Sequence, residues 1–324
     1  ASFTDLGYNN SLDSPPTSET FTYTVDWGDG TTDSTGSVGT VTQGSAGKPT
    51  TGSFGESHTY ADNGTYTVTV TVTDDNGGSA TDTFQVVVVN AAPVLTVSTN
   101  KTVAEGSLLT IAELGSFTDA GFDNALNPVP GGETQEAFDY VINWGDGSTP
   151  DSGPVSAGSI TQGKPGFATK GTVGGSHTYA DNGVYTVTVT LNDDDGGTTQ
   201  KTFQVTVTNA APVLSVLSNQ TRFEGELLSI TNIGTFTDRG YDNASNPGSE
   251  KTETFTYTIN WGDGTAPDSR IAKQAMTQSA CGDATSATGS PVAPLPARSP
   301  SAALWAGSSS SRQVSCLREP SGPM

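Results

Sequence analysis

Cysteine, methionine and histidine each occur only twice in 324 residues, and Cys281, Cys316, Met276 and Met324 all lie beyond residue 269. The first 269 residues can therefore form no disulfide and no thiolate metal site, so packing and hydrogen bonds must hold whatever they build. Basic residues are scarce: 13 Lys and Arg face 34 Asp and Glu, for a net charge of −21. The imbalance is uneven. Residues 1–269 carry 8 basic and 32 acidic side chains, net −24, whereas residues 270–324 carry 5 and 2, net +3. An acidic surface repels nucleic acid and anionic headgroups and attracts cations, which excludes a nucleic-acid partner. No run approaches the roughly 20 apolar residues of a membrane span, so none is expected in this chain. With Ala1 at the start and no signal or anchor in view, the chain is expected to be a fragment of something longer.

What is abundant is Gly, Thr, Ser and Val, and they are arranged periodically. Trp-Gly-Asp-Gly occurs at Trp27, Trp144 and Trp261, 117 residues apart each time, and His58-Thr-Tyr-Ala-Asp-Asn-Gly64 returns as His177-Thr-Tyr-Ala-Asp-Asn-Gly183. One module repeats. In Tyr66-Thr-Val-Thr-Val-Thr-Val72 and Tyr185-Thr-Val-Thr-Val-Thr-Leu191 the period is two, which places Tyr and the aliphatics on one face of a half-buried strand. Further strands are expected at 83–88 and 202–207, reached through the Asx-Gly hairpins 74–78 and 193–197, and at 94–97, 108–118 and 138–144. About seven short strands per module predict an all-β immunoglobulin-like sandwich. Asp62-Asn-Gly-Thr-Tyr66 and Asp181-Asn-Gly-Val-Tyr185 match a tyrosine corner, with the phenol bonded back to upstream backbone. The variable segments 6–20, 120–137 and 148–175 are expected to be loops, where ligand contacts would sit.

Trp-Gly-Asp-Gly, followed some thirty residues on by His-Thr-Tyr-Ala-Asp-Asn-Gly-X-Tyr-Thr-Val and then by Asp-Asp-X-Gly-Gly, resembles the polycystic-kidney-disease (PKD) domain, over residues 1 to about 268. The resemblance implies tandem PKD-type sandwiches of a bacterial-type surface or secreted protein: extracellular, non-catalytic, contacting protein or carbohydrate or acting as spacers. Rival readings are an accessory, substrate-contacting region of a secreted polysaccharide- or protein-degrading hydrolase, and a calcium-dependent homophilic adhesin.

The linker Asn90-Ala-Ala-Pro-Val94 recurs as Asn209-Ala-Ala-Pro-Val213 and sets the boundaries. Residues 1–90 are a module without its first strand, 91–209 a complete one, and 210–269 a truncated one, expected to be poorly stable alone. From 270 to 324 the pattern is lost: the next His is due at 292–294, where Val292, Ala293 and Pro294 stand. A changed reading frame or a disordered Ser/Pro/Ala-rich tail would each account for this.

Strand polarity sends Asp119, Asp123 and Asp194 to the end of module two where the chain comes in, and Glu105, Asp146 and Asp181 to the opposite end. Head-to-tail joining would bring Glu105, Asp146, Asp181 and Asn209 toward Asp238 and Asp242, and Asp29, Asp62 and Asn90 toward Asp119, Asp123 and Asp194. Oxygen ligands gathered in this way suit Ca²⁺ at the junctions. Against this, Asp-Gly and Asp-Asn contexts also make each Asp a turn residue bonded to its own backbone. His58 and His177 invite a catalytic pairing with Asp62 and Asp181, but no nucleophile motif accompanies them, and the chain is expected not to be an enzyme.

Overall fold

The computed structural model describes residues 1–9, 18–128, 134–248 and 251–272, almost all of it strand and turn. Of the variable segments, 10–17 and 129–133 lie outside the described residues, as do Cys281, Cys316 and the rest of 273–324. The chain divides into two compact units: one comprises 1–103, 108–178 and 183–206, the other 104–107, 179–182 and 207 onward.

In residues 1–90 the strands are β1 (Ser2–Asp5), β2 (Phe21–Asp26), β3 (Ser34–Ser37), β4 (Thr40–Thr42), β5 (Thr50–Ser53), β6 (Gly64–Asp74) and β7 (Ser79–Val88). They form two antiparallel sheets, ordered β1-β5-β4 and β3-β2-β6-β7. Residues 91–209 build β8 (Val94–Val97), β9 (Lys101–Ala104), β10 (Leu108–Asp119), β11 (Phe138–Asn143), β12 (Asp151–Pro154), β13 (Ile160–Thr161), β14 (Thr169–Thr178), β15 (Gly183–Asp193) and β16 (Thr198–Thr208). Their sheets run β13-β14-β10-β8 and β12-β11-β15-β16-β9. The described residues of 210–272 contribute two antiparallel pairs, β17 (Val213–Val216) with β18 (Gly234–Thr237) and β19 (Phe255–Ile259) with β20 (Asp268–Ala272).

The alternation in β15 does what its period demands: Tyr185, Val187, Val189 and Leu191 are buried between the sheets, with Ile142, Phe203 and Val205. The matching face of module one is thinner. Phe84 is 52% exposed where its counterpart Phe203 is 5%, because β8 and β9 have no counterparts among the described strands of module one. Trp144 is 1% exposed and Trp261 is 45%, a difference that tracks the strands present around each.

One expectation fails in an instructive way. Segment 148–175 is not loop: it holds β12, β13 and the start of β14, and β14 pairs along most of β10. Two of its inward positions, Gly171 and Gly175, are glycines, which no hydrophobic period reveals. The Phe117 ring lies directly on Gly171, and a Cβ at Gly175 would meet Ile142, Trp144 and Leu114 at 3.1–3.3 Å.

Candidate functional site

The two shared motifs meet inside each module. His58 Nε2 lies 2.7 Å from Asp29 Oδ2 and His177 Nε2 2.8 Å from Asp146 Oδ2, so the histidine pairs with the Asp of Trp-Gly-Asp-Gly rather than with Asp62 or Asp181. The imidazoles also stack on Trp27 and Trp144, with centroids 4.8 and 4.9 Å apart and planes within 8°. Burial acts to raise the Asp29 and Asp146 carboxyls, but hydrogen bonds from the histidine and from Thr31 or Ser148 outweigh it and hold both below the ordinary value. Tyr66 Oη donates to the Asp62 carbonyl at 2.9 Å, which completes the expected tyrosine corner. These groups are occupied in holding strands together. Module three has no histidine, and its Asp263 accepts from Thr265 just as Asp29 does from Thr31.

The leading end of each module, where the chain comes in, is built the same way three times. Asp5, Asp119 and Asp238 Oδ1 accept from the N–H of Gly7, Gly121 and Gly240 at 2.6–2.8 Å. Asn9, Asp123 and Asp242 Oδ1 accept from the N–H of Glu19, Glu136 and Glu253 at 2.6–2.9 Å. Each glutamate is thereby turned toward the glycine. A Cβ on Gly240 would meet Glu253 Oε1 at 2.6 Å and Asp238 Oδ1 at 3.2 Å, and one on Gly7 would meet both Asp5 and Glu19 at 2.7 Å. Thr50 and Thr169, fully buried, fix the glycines from behind by donating to the Gly7 and Gly121 carbonyls at 2.7 Å.

The trailing end of the preceding module closes over this construction. Within the first unit, Phe122 N–H donates to Ala61 O at 3.1 Å, Asn124 Nδ2 to Asp29 O at 2.9 Å and Asn127 Nδ2 to Asp62 Oδ2 at 3.1 Å. Within the second, Tyr241 N–H donates to Ala180 O, also at 3.1 Å. Two carboxylate clusters result, Asp62 with Glu136 and Asp195, and Glu105 with Asp181 and Glu253; in each, one oxygen per residue lies within 4.8 Å of the others. All six are buried except Asp195, which is half-buried. Two full charges this close repel by about 3–4 kcal/mol at an effective dielectric near 20. Burial first, then Asp119 and the neighbouring aspartates, push Glu136 up to about 8; burial and then Asp62 push Asp195 to about 6. Oxygen-only sets of this kind suit hard cations.

Of the residues singled out in the sequence, Glu105 and Asp181 come together, and Asp62 joins the other cluster. Asp119 and Asp238 flank the clusters beside the glycines. Asp123 and Asp242 orient the glutamates, Asp194 Oδ2 caps the Ala137 N–H at 3.0 Å, and Asp146 belongs to His177. Asn209 is exposed beside Ala210, whose N–H donates to Glu105 Oε1 at 2.9 Å; its counterpart Asn90 bonds Asp193 Oδ2 at 3.0 Å. Glu136 and Glu253 were missed, although their spacing of 117 residues, equal to that between the tryptophans, marks them in the sequence.

Residues 4–88 match the family model of the PKD domain, so the first module is a PKD domain. No curated protein matches the chain. Solved structures similar to it include fibronectin(III)-like modules of Clostridium thermocellum CbhA, at 14% identity and TM-score 0.23 over 57% of this chain and 77% of that one. Protocadherin gamma B7 extracellular cadherin domains 1–4 align at 14% identity and TM-score 0.22, over 75% of this chain and 53% of theirs. The chain thus spans about half the length of that protocadherin structure.

Proposed function

We propose that the chain is a non-catalytic extracellular array of PKD-type modules, a spacer and display or adhesion segment of a longer surface or secreted protein, contacting protein or carbohydrate. The observation that carries this reading is the junction repeated in register: Ala61 O to Phe122 N–H and Ala180 O to Tyr241 N–H, 3.1 Å in both. A linker that merely tethered two domains would have no reason to reproduce that contact. The histidines support the same reading, since each is held between a tryptophan face and a carboxylate. So do the sheet faces. One groove of about 390 Å³ is lined by Thr96, Ser116, Thr118, Lys170 and Thr172, with no Asp, Glu, His or Cys along it.

Small-angle scattering on the full chain tests the spacer role. A particle whose longest dimension grows by one module length for each module is expected. A compact particle with modules folded side by side would refute it, and hydrolysis of a polysaccharide or protein panel by the purified chain would refute the non-catalytic part.

A further inference from the structure

We propose that each module junction is a binding site for a hard divalent cation, calcium by its donor set: Asp62, Glu136 and Asp195 backed by Asp119 at the first, and Glu105, Asp181 and Glu253 backed by Asp238 at the second. The proposal deepens the array reading and rests on it only for the existence of the junctions. Clustered acids alone would not carry it. The independent observation is Asp119, 4% exposed, whose Oδ1 accepts from Gly121 while its Oδ2 is buried with no hydrogen-bond partner. Asp238 Oδ2 stands in the same condition in the next module. A buried carboxylate oxygen without a donor is costly, so its repetition at one repeat position asks for a common electrophile.

The aspartate and the glutamate of each leading end meet at one glycine. Asp119 Oδ1 accepts from the Gly121 N–H while Glu136 is turned onto the same glycine, as Asp238 and Glu253 are onto Gly240, and the charges acting on Glu136 are Asp119, Asp194, Asp195 and Asp62, all negative. An acid cluster walled by further acids is a place for a cation.

The donor chemistry selects among cations. Carboxylate oxygens without thiolate or imidazole do not favour zinc or copper. Oxygens within 4.8 Å of one another fit across a calcium sphere, where Ca–O distances of about 2.3–2.6 Å place opposed ligands about 5 Å apart. Magnesium demands a near-ideal octahedron and gives up its water reluctantly, whereas calcium takes about six to eight oxygens in flexible geometry. Access exists at the first junction: a recess of about 430 Å³ opens beside Glu136, lined by Asp123, Gln162, Asp193 and Asp194.

The two clusters also complement each other. Glu105 has no counterpart among the residues of module one, and Asp195 has none among the described residues of module three.

Calorimetric titration of the chelator-treated full chain with calcium chloride tests the proposal. Two ions per chain are expected, with half-saturation at about 0.1–1 mM, the range of extracellular modules, and with magnesium binding at least tenfold weaker. Glu136→Gln should leave one ion, Glu253→Gln one, and the double variant none. If either variant is unfolded by circular dichroism, Asp195→Asn and Asp238→Asn replace them, with the same loss of one ion each. Absence of saturable uptake up to 10-fold beyond that range, or two ions still bound by the double or replacement variants, would overturn the cation site. Neither result would disturb the spacer reading, which scattering decides.

Discussion

Thr169 shows how much one buried hydroxyl can organise. Its Oγ1 donates to Gly121 O at 2.7 Å and accepts from Gly163 N–H at 2.9 Å, fully out of solvent, and Thr50 does the same between Gly7 and Gly44. Thr169→Val keeps the shape and strands both backbone partners, so it should cost about 1–3 kcal/mol of module stability by denaturant titration. Thr169→Ser should lose far less. The Asp29–His58 and Asp146–His177 pairs make a prediction about acid. Both carboxyls are held below their ordinary 3.8 in the folded chain, so their contribution is complete above that value and disappears as pH falls through the lowered one. An Asp29→Asn, Asp146→Asn double variant should therefore show a melting temperature that falls less steeply below pH 4 than the parent's. The pairing itself was illegible in sequence. Asp62 and Asp181 stand closer in the chain to the histidines than Asp29 and Asp146 do, and only the sandwich brings the Trp-Gly-Asp-Gly turn across.

At the scale of elements, strands with apolar alternation announced themselves: β6 and β15 follow the expected spans, and β8 coincides with its own. The Gly-rich β14 did not, because two of its inward positions, Gly171 and Gly175, are glycines covered by Phe117, Trp144 and Ile142. The site was legible to the same degree. Repeat spacing and strand polarity brought out Asp62, Glu105 and Asp181, while Glu136 and Glu253 precede β11 and β19, Glu136 in a segment that reads as variable loop. The turn between β9 and β10 offers a sharp test. Gly106 adopts φ +62° and presses on the backbone of Arg239, and a Cβ there would lie 2.9 Å from the Arg239 Cβ. Gly106→Ala should cost more than the roughly 1–2 kcal/mol of a left-handed alanine, because the backbone contact must also open. The same substitution at Gly77, which has φ +89° and open space, should cost only the conformational part, and comparing the two melting temperatures isolates the contact.

At the scale of the whole molecule, stability should be graded along the chain. Val205 is fully buried and Val207 nearly so, whereas Val213, Val216 and Ile271 are 70%, 64% and 72% exposed. Hydrogen exchange should find β10, β15 and β16 the most protected, with β17 to β20 opening far more readily, since few apolar contacts and solvated ladders mark segments of low local stability. Equal protection across 94–208 and 213–272 would contradict that ordering.

Gly121 and Ala61 belong to different copies of one repeat, and so do Gly240 and Ala180. The complete copy, 91–209, carries the socket on its front and the plug on its back, so the repeat is complementary to itself. Duplicating a copy in the gene would thus manufacture a finished joint along with the new domain, and deleting one would leave its neighbours still matched. An assembly of this kind can change reach in whole steps over evolutionary time without any surface being redesigned.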